Sequence, residues 1–114
     1  MIERRKNTRK KASYYIQVMD NNAEQPAGKL VDISTTGMML SHNNPIEKDK
    51  SFQLGVTLPD AFEGERPIMV NARSIWCRRN AHTALWETGF RLRNVTDDAT
   101  ESIDRAMKNY LFKD

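Results

Sequence analysis

The sequence predicts an all-β fold with one helix: six antiparallel strands closed into a small barrel, a C-terminal α-helix and a flexible basic arm at the N-terminus. Three observations carry this expectation. Six stretches of strand-like composition are separated by turn-rich loops. One stretch near the C-terminus spaces its apolar residues as a helix does. Positive charge is concentrated at the start: "ERRKNTRKK", Glu3 to Lys11, holds six cations and one anion. Net charge over the 114 residues is +3, so the rest, with 12 cations against 14 anions, is slightly acidic.

The elements follow in order. Residues 1–11 read as the arm, whose like charges repel and which has little apolar surface to bury. The single barrel domain is 12–114. Tyr14–Met19 is aromatic and β-branched, a first strand. Asp20–Pro26 is a polar loop rich in turn formers. Gly28–Ile33 is the second strand, Ser34–Gly37 a turn, and Met38–Ser41 a short third strand. His42–Lys50 reads as loop. Phe52–Leu58 alternates with period two and is the fourth strand. Pro59–Pro67 is an acidic loop. Ile68–Arg78 is a long fifth strand; Ile68, Val70 and Ala72 share a face, Ile75 breaks the alternation, and a bulge is expected near Ser74. Ala84–Val95 is the sixth, with Trp86, Thr88, Phe90 and Leu92 on one face. Thr96-Asp97-Asp98 then opens a helix over about 97–112. Ile103, Met107, Tyr110 and Leu111 form its core-facing stripe. Six such strands can close a barrel, with the helix over one opening.

Composition bounds the function. At 39% hydrophobic and 29% charged, the chain is an ordinary globular domain. No apolar run approaches the ~18 residues of a membrane helix, and no apolar stretch follows the cationic start as in a secretory signal. The expectation is a cytoplasmic protein without membrane insertion. The one cysteine, Cys77, permits no internal disulfide. His42 and His82 are isolated loop histidines, and no metal site is expected. No nucleophile–base pair with an orienting group is evident, so no enzyme is expected.

A second stretch belongs with the arm. In "DISTTG", Asp32 to Gly37, Asp32 and Ser34 are two apart on a strand and point to one side, with Ile33 pointing to the core. Gly37 sits where the chain reversal would demand positive φ, which glycine tolerates at no steric cost. A carboxylate offers two acceptor oxygens, matching the adjacent N1–H and N2–H2 donors of guanine, a pair adenine lacks. If the first two strands form a hairpin, partners have numbers summing to roughly 46. Asp32 then faces Tyr14, Ser34 faces Ala12, and Arg5 and Arg9 extend from the same end. Arginine's planar fork binds phosphate and also matches guanine O6/N7.

"RRKNTR" (Arg4 to Arg9) fits RRxxxR and "DISTTG" fits DxSxxG. In that order the two resemble the PilZ domain, a bacterial receptor family for the second messenger cyclic di-GMP. "WETGFRL" (Trp86 to Leu92) is also similar to a late strand of that family, and the resemblance covers almost the whole chain. It implies a six-stranded barrel with a C-terminal helix, agreeing with the strand count. It implies that Arg5 and Arg9 hold the phosphates and the Hoogsteen edges of guanine, assisted by Arg4. Asp32 and Ser34 would read a guanine, and Gly37 would allow the turn. Some family members stack a base on an aromatic from a neighbouring strand, and Trp76 is the candidate. The expected ligand is cyclic di-GMP, with no cofactor and with output to a separate, unidentified protein. Two alternatives remain at this point: a nucleic-acid-binding barrel with a basic arm, which leaves Asp32 unexplained, and a ligand-free docking module of the same fold.

Overall fold

The computed structural model describes residues 10–12, 15–58, 66–109 and 111–113. Arg4, Arg5, Arg9, Tyr14, Tyr110 and the acidic loop at 59–65 lie outside the described residues. Among the described residues, eight strands and one helix follow in order: β1 (Lys10–Ala12), β2 (Gln17–Asp20), β3 (Gln25–Ile33), β4 (Gly37–His42), β5 (Ser51–Val56), β6 (Ile68–Arg79), β7 (Trp86–Arg93), α1 (Asp97–Asn109) and β8 (Leu111–Lys113). All pairings are antiparallel. The order β2-β5-β6-β7-β4-β3 closes on itself through a β2–β3 pairing, and β1 then β8 extend from the β3 edge. The architecture is therefore a closed six-stranded antiparallel barrel with one C-terminal helix, and two three-residue strands added outside the ring.

Alternation fills the barrel. Val18, Leu30, Ile33, Met38, Leu40, Leu54, Val56, Val70, Ala72, Phe90 and Leu92 are buried in one cluster. Phe52 meets Phe90 edge to face, with centroids 5.6 Å apart. Thr96 caps α1, accepting the Ala99 amide at 3.0 Å, and Asp97 and Asp98 occupy the first turn, where carboxylates favour the helix dipole. Ala99, Ile103 and Ala106 bury one side of the helix, and Met107 packs against the core.

The bulge expected near Ser74 is present: the β6–β7 register shifts between Ser74 and Trp76. Ser74 is fully buried. Its hydroxyl donates to the Glu47 carbonyl at 2.7 Å and accepts the Lys50 amide at 2.9 Å. The loop between β4 and β5 is thereby pinned to the bulge, which gives this inward hydroxyl partners that water cannot supply.

Strands β4 to β7 depart from the sequence reading by one or two residues at their ends, and larger differences lie at the two ends of the described chain and in the loop after β2. The first strand is two strands, β1 and β2, and Tyr15 and Ile16 lie between them. Three additional residues on that side, relative to β3, move the pairing from Gln17 opposite Lys29 to Lys11 opposite Asp32. Lys10 and Lys11, read as the end of the arm, are strand residues. The loop after β2 is shorter, because Gln25–Ala27 extend β3 and the turn closes with Glu24 at φ 55°. Helix α1 stops at Asn109 rather than near 112, and Leu111 lies in β8: the edge of β1 offers this β-prone segment a backbone partner that a further helical turn would forgo.

Candidate functional site

The site is built around the turn from β3 to β4. Strict alternation along β3 would put Asp32 on the same face as the buried Leu30. A register shift against β4 between Leu30 and Asp32 prevents this: Leu30 pairs with Leu40, and Asp32 with Met39. The extra residue, Val31, turns Asp32 onto the outer face while Ile33 returns to the core. The bulge is legible in hindsight, since Leu30 and Ile33 are three apart and both belong inside.

Ser34 is fully buried. Its Oγ accepts the amides of Thr36 and Gly37, each at 3.2 Å, and lies 3.2 Å from the Thr36 hydroxyl. The Ser34 amide donates to the Gly37 carbonyl at 2.9 Å. The hydroxyl therefore organises the turn that presents Asp32, instead of lying on an exposed side with it, and Gly37 does not take the expected positive φ, because it already belongs to β4. Asp32 is itself 8% exposed. On the other side of β3, Lys11 stands directly opposite Asp32 and Lys10 opposite Ile33. The backbone places the root of the basic arm beside the acid of the turn, in a register different from the expected one: Lys11, not Tyr14, is the partner. Arg9 directly precedes Lys10 in sequence, but Arg4, Arg5 and Arg9 lie outside the described residues, and so their relation to Asp32 rests on this register.

The same transverse row continues across the barrel. Met39 pairs with Gly89, and Gly89 with Trp76. Asp32, Met39 and Trp76 thus lie on the outside of the barrel, with Trp76 three strand steps around the ring from Asp32. The indole packs against Gly89, where a Cβ would collide with Trp76 Cε2 and Nε1. Arg78 covers the ring at 4.9 Å from its centroid, and its Nε lies 3.4 Å from Glu87 Oε1. Trp76 is 37% exposed. One row nearer the turn, Arg91 stands opposite both Gly37 and Arg73.

At the other end of β4, His42 Nδ1 donates to the Asn44 carbonyl at 2.7 Å and Nε2 accepts the Thr88 hydroxyl at 2.8 Å. Burial lowers the imidazole pKa, against the opposing pull of the Asn44 hydrogen bond and of Glu87. A cavity of about 810 Å³ beside it is lined by Tyr15, Lys29, Val31, Ser41, His42 and Glu87 among others, and not by Asp32, Ser34 or Gly37. Among the described residues, no group of three or more His, Cys, Asp or Glu could hold a metal ion, and no helix is long and apolar enough to cross a membrane.

Comparison with solved structures gives the same fold. The PilZ domain of YcgR from Escherichia coli with c-di-GMP aligns at TM-score 0.71 and 17% identity, covering 95% of this chain and 92% of that one. YcgR from E. coli in complex with c-di-GMP aligns at TM-score 0.69 and 17% identity, covering 94% and 46%. The Bacillus subtilis inhibitor of motility (MotI/DgrA) aligns at TM-score 0.72 and 16% identity over 94% of this chain, which spans about half (51%) of that protein's length. No curated protein sequence matches. The PilZ domain family model matches residues 3–113, nearly the entire sequence, and the chain belongs to the PilZ domain family.

Proposed function

We propose that this chain is a receptor for cyclic di-GMP that reads guanine with Asp32 and holds the phosphates with its basic arm. The observation that carries the reading is the pairing of Lys11 with Asp32: the acid at the turn and the root of the arm are neighbours on adjacent strands. Arg5 and Arg9 clamp phosphate and the Hoogsteen edge of guanine, and Arg4 assists. The Asp32 carboxylate accepts from guanine N1–H and N2–H2. Ser34 holds the turn that aims Asp32, and Gly37 completes it. Trp76 stacks a base from the outside of the barrel once Arg78 moves aside. The E. coli YcgR PilZ domain, seen with c-di-GMP, has the same fold, which supports this ligand class. A carboxylate facing the arm disfavours a nucleic-acid backbone, which it would repel. The signal passes to a separate protein through the change of arm and surface.

Isothermal calorimetry of the full chain tests this. The wild type binds cyclic di-GMP with micromolar or tighter affinity, and Arg9→Ala and Asp32→Ala each weaken binding at least about tenfold, as loss of a charge-assisted contact predicts. A folded wild type that gives no binding heat refutes the reading.

A further inference from the structure

We propose that a polar cleft on the outer face of β5, β6 and β7 is a second ligand site, which takes a small phosphorylated sugar. The cleft follows from strand alternation. Phe52, Ala72 and Leu92 turn toward the core, so their neighbours on each strand turn outward. Register sets those neighbours in two adjacent rows. Ser51, Arg73 and Arg91 form one row, and Gln53, Asn71 and Arg93 form the other. All six are exposed, and each carries a hydrogen-bonding group. All but Arg91 line a cleft of about 490 Å3, a size usual for small-molecule sites.

Two further asparagines, Asn22 and Asn94, reach the cleft from outside the strands. The Asn22 amide donates to Asp20 Oδ1 at 3.0 Å, and the Asn21 amide donates to the Gln53 carbonyl at 2.9 Å, which ties that turn to β5. Asn94 follows β7 at φ 51°, in the left-handed region that asparagine tolerates.

The open valences of these groups name the ligand class. Arg73 and Arg91 stand directly opposite each other, an arrangement in which like charges repel. Asp49, itself exposed, lies 3.9 Å from Arg73 Nε; Arg91 and Arg93 have no ion pair among the described residues. An anion bound here relieves the repulsion and takes the planar forks of the guanidinium groups. The carboxamides of Gln53, Asn71, Asn22 and Asn94 make no hydrogen bond among the described residues. A carboxamide both donates and accepts, which suits hydroxyl groups, whereas a bare phosphate dianion would leave its acceptor oxygen idle. A phosphate carried on a sugar satisfies both sets. Asp32, Ser34 and Gly37 do not line this cleft, so the proposal is independent of the receptor reading.

Titration of the full chain with glucose-6-phosphate, followed by the side-chain amide and arginine Nε–H signals in heteronuclear NMR spectra, tests the site. Saturable shifts are expected at Asn71, Asn94 and Arg93, with a Kd of about 1 mM or tighter in about 150 mM salt. Inorganic phosphate lacks the hydroxyls and glucose lacks the anion, so each should bind at least about tenfold more weakly. Arg93→Ala, at an exposed position that the fold does not need, should weaken the sugar phosphate about tenfold or more. Asn71→Asp, which sets a carboxylate in the cleft, should do the same. Absence of saturable shifts, or unchanged affinity in Arg93→Ala, overturns the proposal. Equal affinity for inorganic phosphate reduces the site to an anion contact and overturns the sugar. Tighter binding of triglutamate than of glucose-6-phosphate assigns the face to an acidic protein segment and overturns it as well.

Discussion

Ser34 separates building the turn from reading the ligand. Its hydroxyl, itself fully buried, accepts the amides of the exposed Thr36 and the buried Gly37. Removing it leaves the buried Gly37 donor unpaired, a loss of about 1–3 kcal/mol. Ser34→Ala should lower stability to urea by that amount even without ligand; unchanged stability together with lost binding would assign the hydroxyl to the ligand instead. His42 makes a second residue-scale prediction. Burial holds its folded pKa below the ordinary value, so the folded protein takes up its proton less readily than the unfolded chain. The stabilisation by neutral His42 is present above the unfolded pKa of about 6.5 and is lost as pH falls from there toward the folded value. Thermal melts from pH 7.5 to 5 should show stability declining, and His42→Gln should flatten that decline. An equally steep decline in the variant would contradict the assignment. Nothing in the sequence marked His42 as more than a loop residue, because its partner Thr88 is 46 residues away.

Elements show how far pattern reading reaches. Strands β5, β6 and β7 and the helix were legible because each is long enough to display a period. The bulge was legible because Ile75 interrupts that period. What the bulge does was not legible: Ser74 ties the β4–β5 loop to β6 through contacts 24 and 27 residues away in sequence. Ser74→Ala should cost about 1–3 kcal/mol by orphaning the Lys50 amide and the Glu47 carbonyl. Chemical denaturation measures it, and a change under about 0.5 kcal/mol, typical of surface sites, would show that the loop does not depend on this anchor. Strands β1 and β8 escaped the sequence reading for a simple reason. Three residues cannot show a period, and each strand exists only because the other, or β3, supplies its hydrogen bonds. The same dependence cut the helix short, since Leu111 fits a helical stripe and a strand equally well.

At the scale of the whole molecule, strand pairing sets Lys10 and Lys11, at the root of the arm, beside the turn motif that begins at Asp32. The hairpin sum of 46 held for Gln17–Lys29 and Val18–Gly28 and failed beyond, where the pairing slips to Lys11–Asp32. The closed fold was thus legible, while the register that sets Lys11 opposite Asp32 was not, because no pattern in the sequence marks a change of offset between Lys11 and Gln17. The slip leaves fewer residues between the arm and the acid than a continuous hairpin would.

The central claim is that Asp32 reads guanine while the arm holds phosphate. Parallel calorimetric titrations with cyclic di-GMP and cyclic di-AMP test it most directly, since the two share their phosphates and differ in the bases. The account predicts micromolar or tighter binding of cyclic di-GMP and about a hundredfold or greater weakening for cyclic di-AMP, the loss of two hydrogen bonds to a charged acceptor. Equal affinity for both would leave Asp32 with no part in recognition and contradict the account.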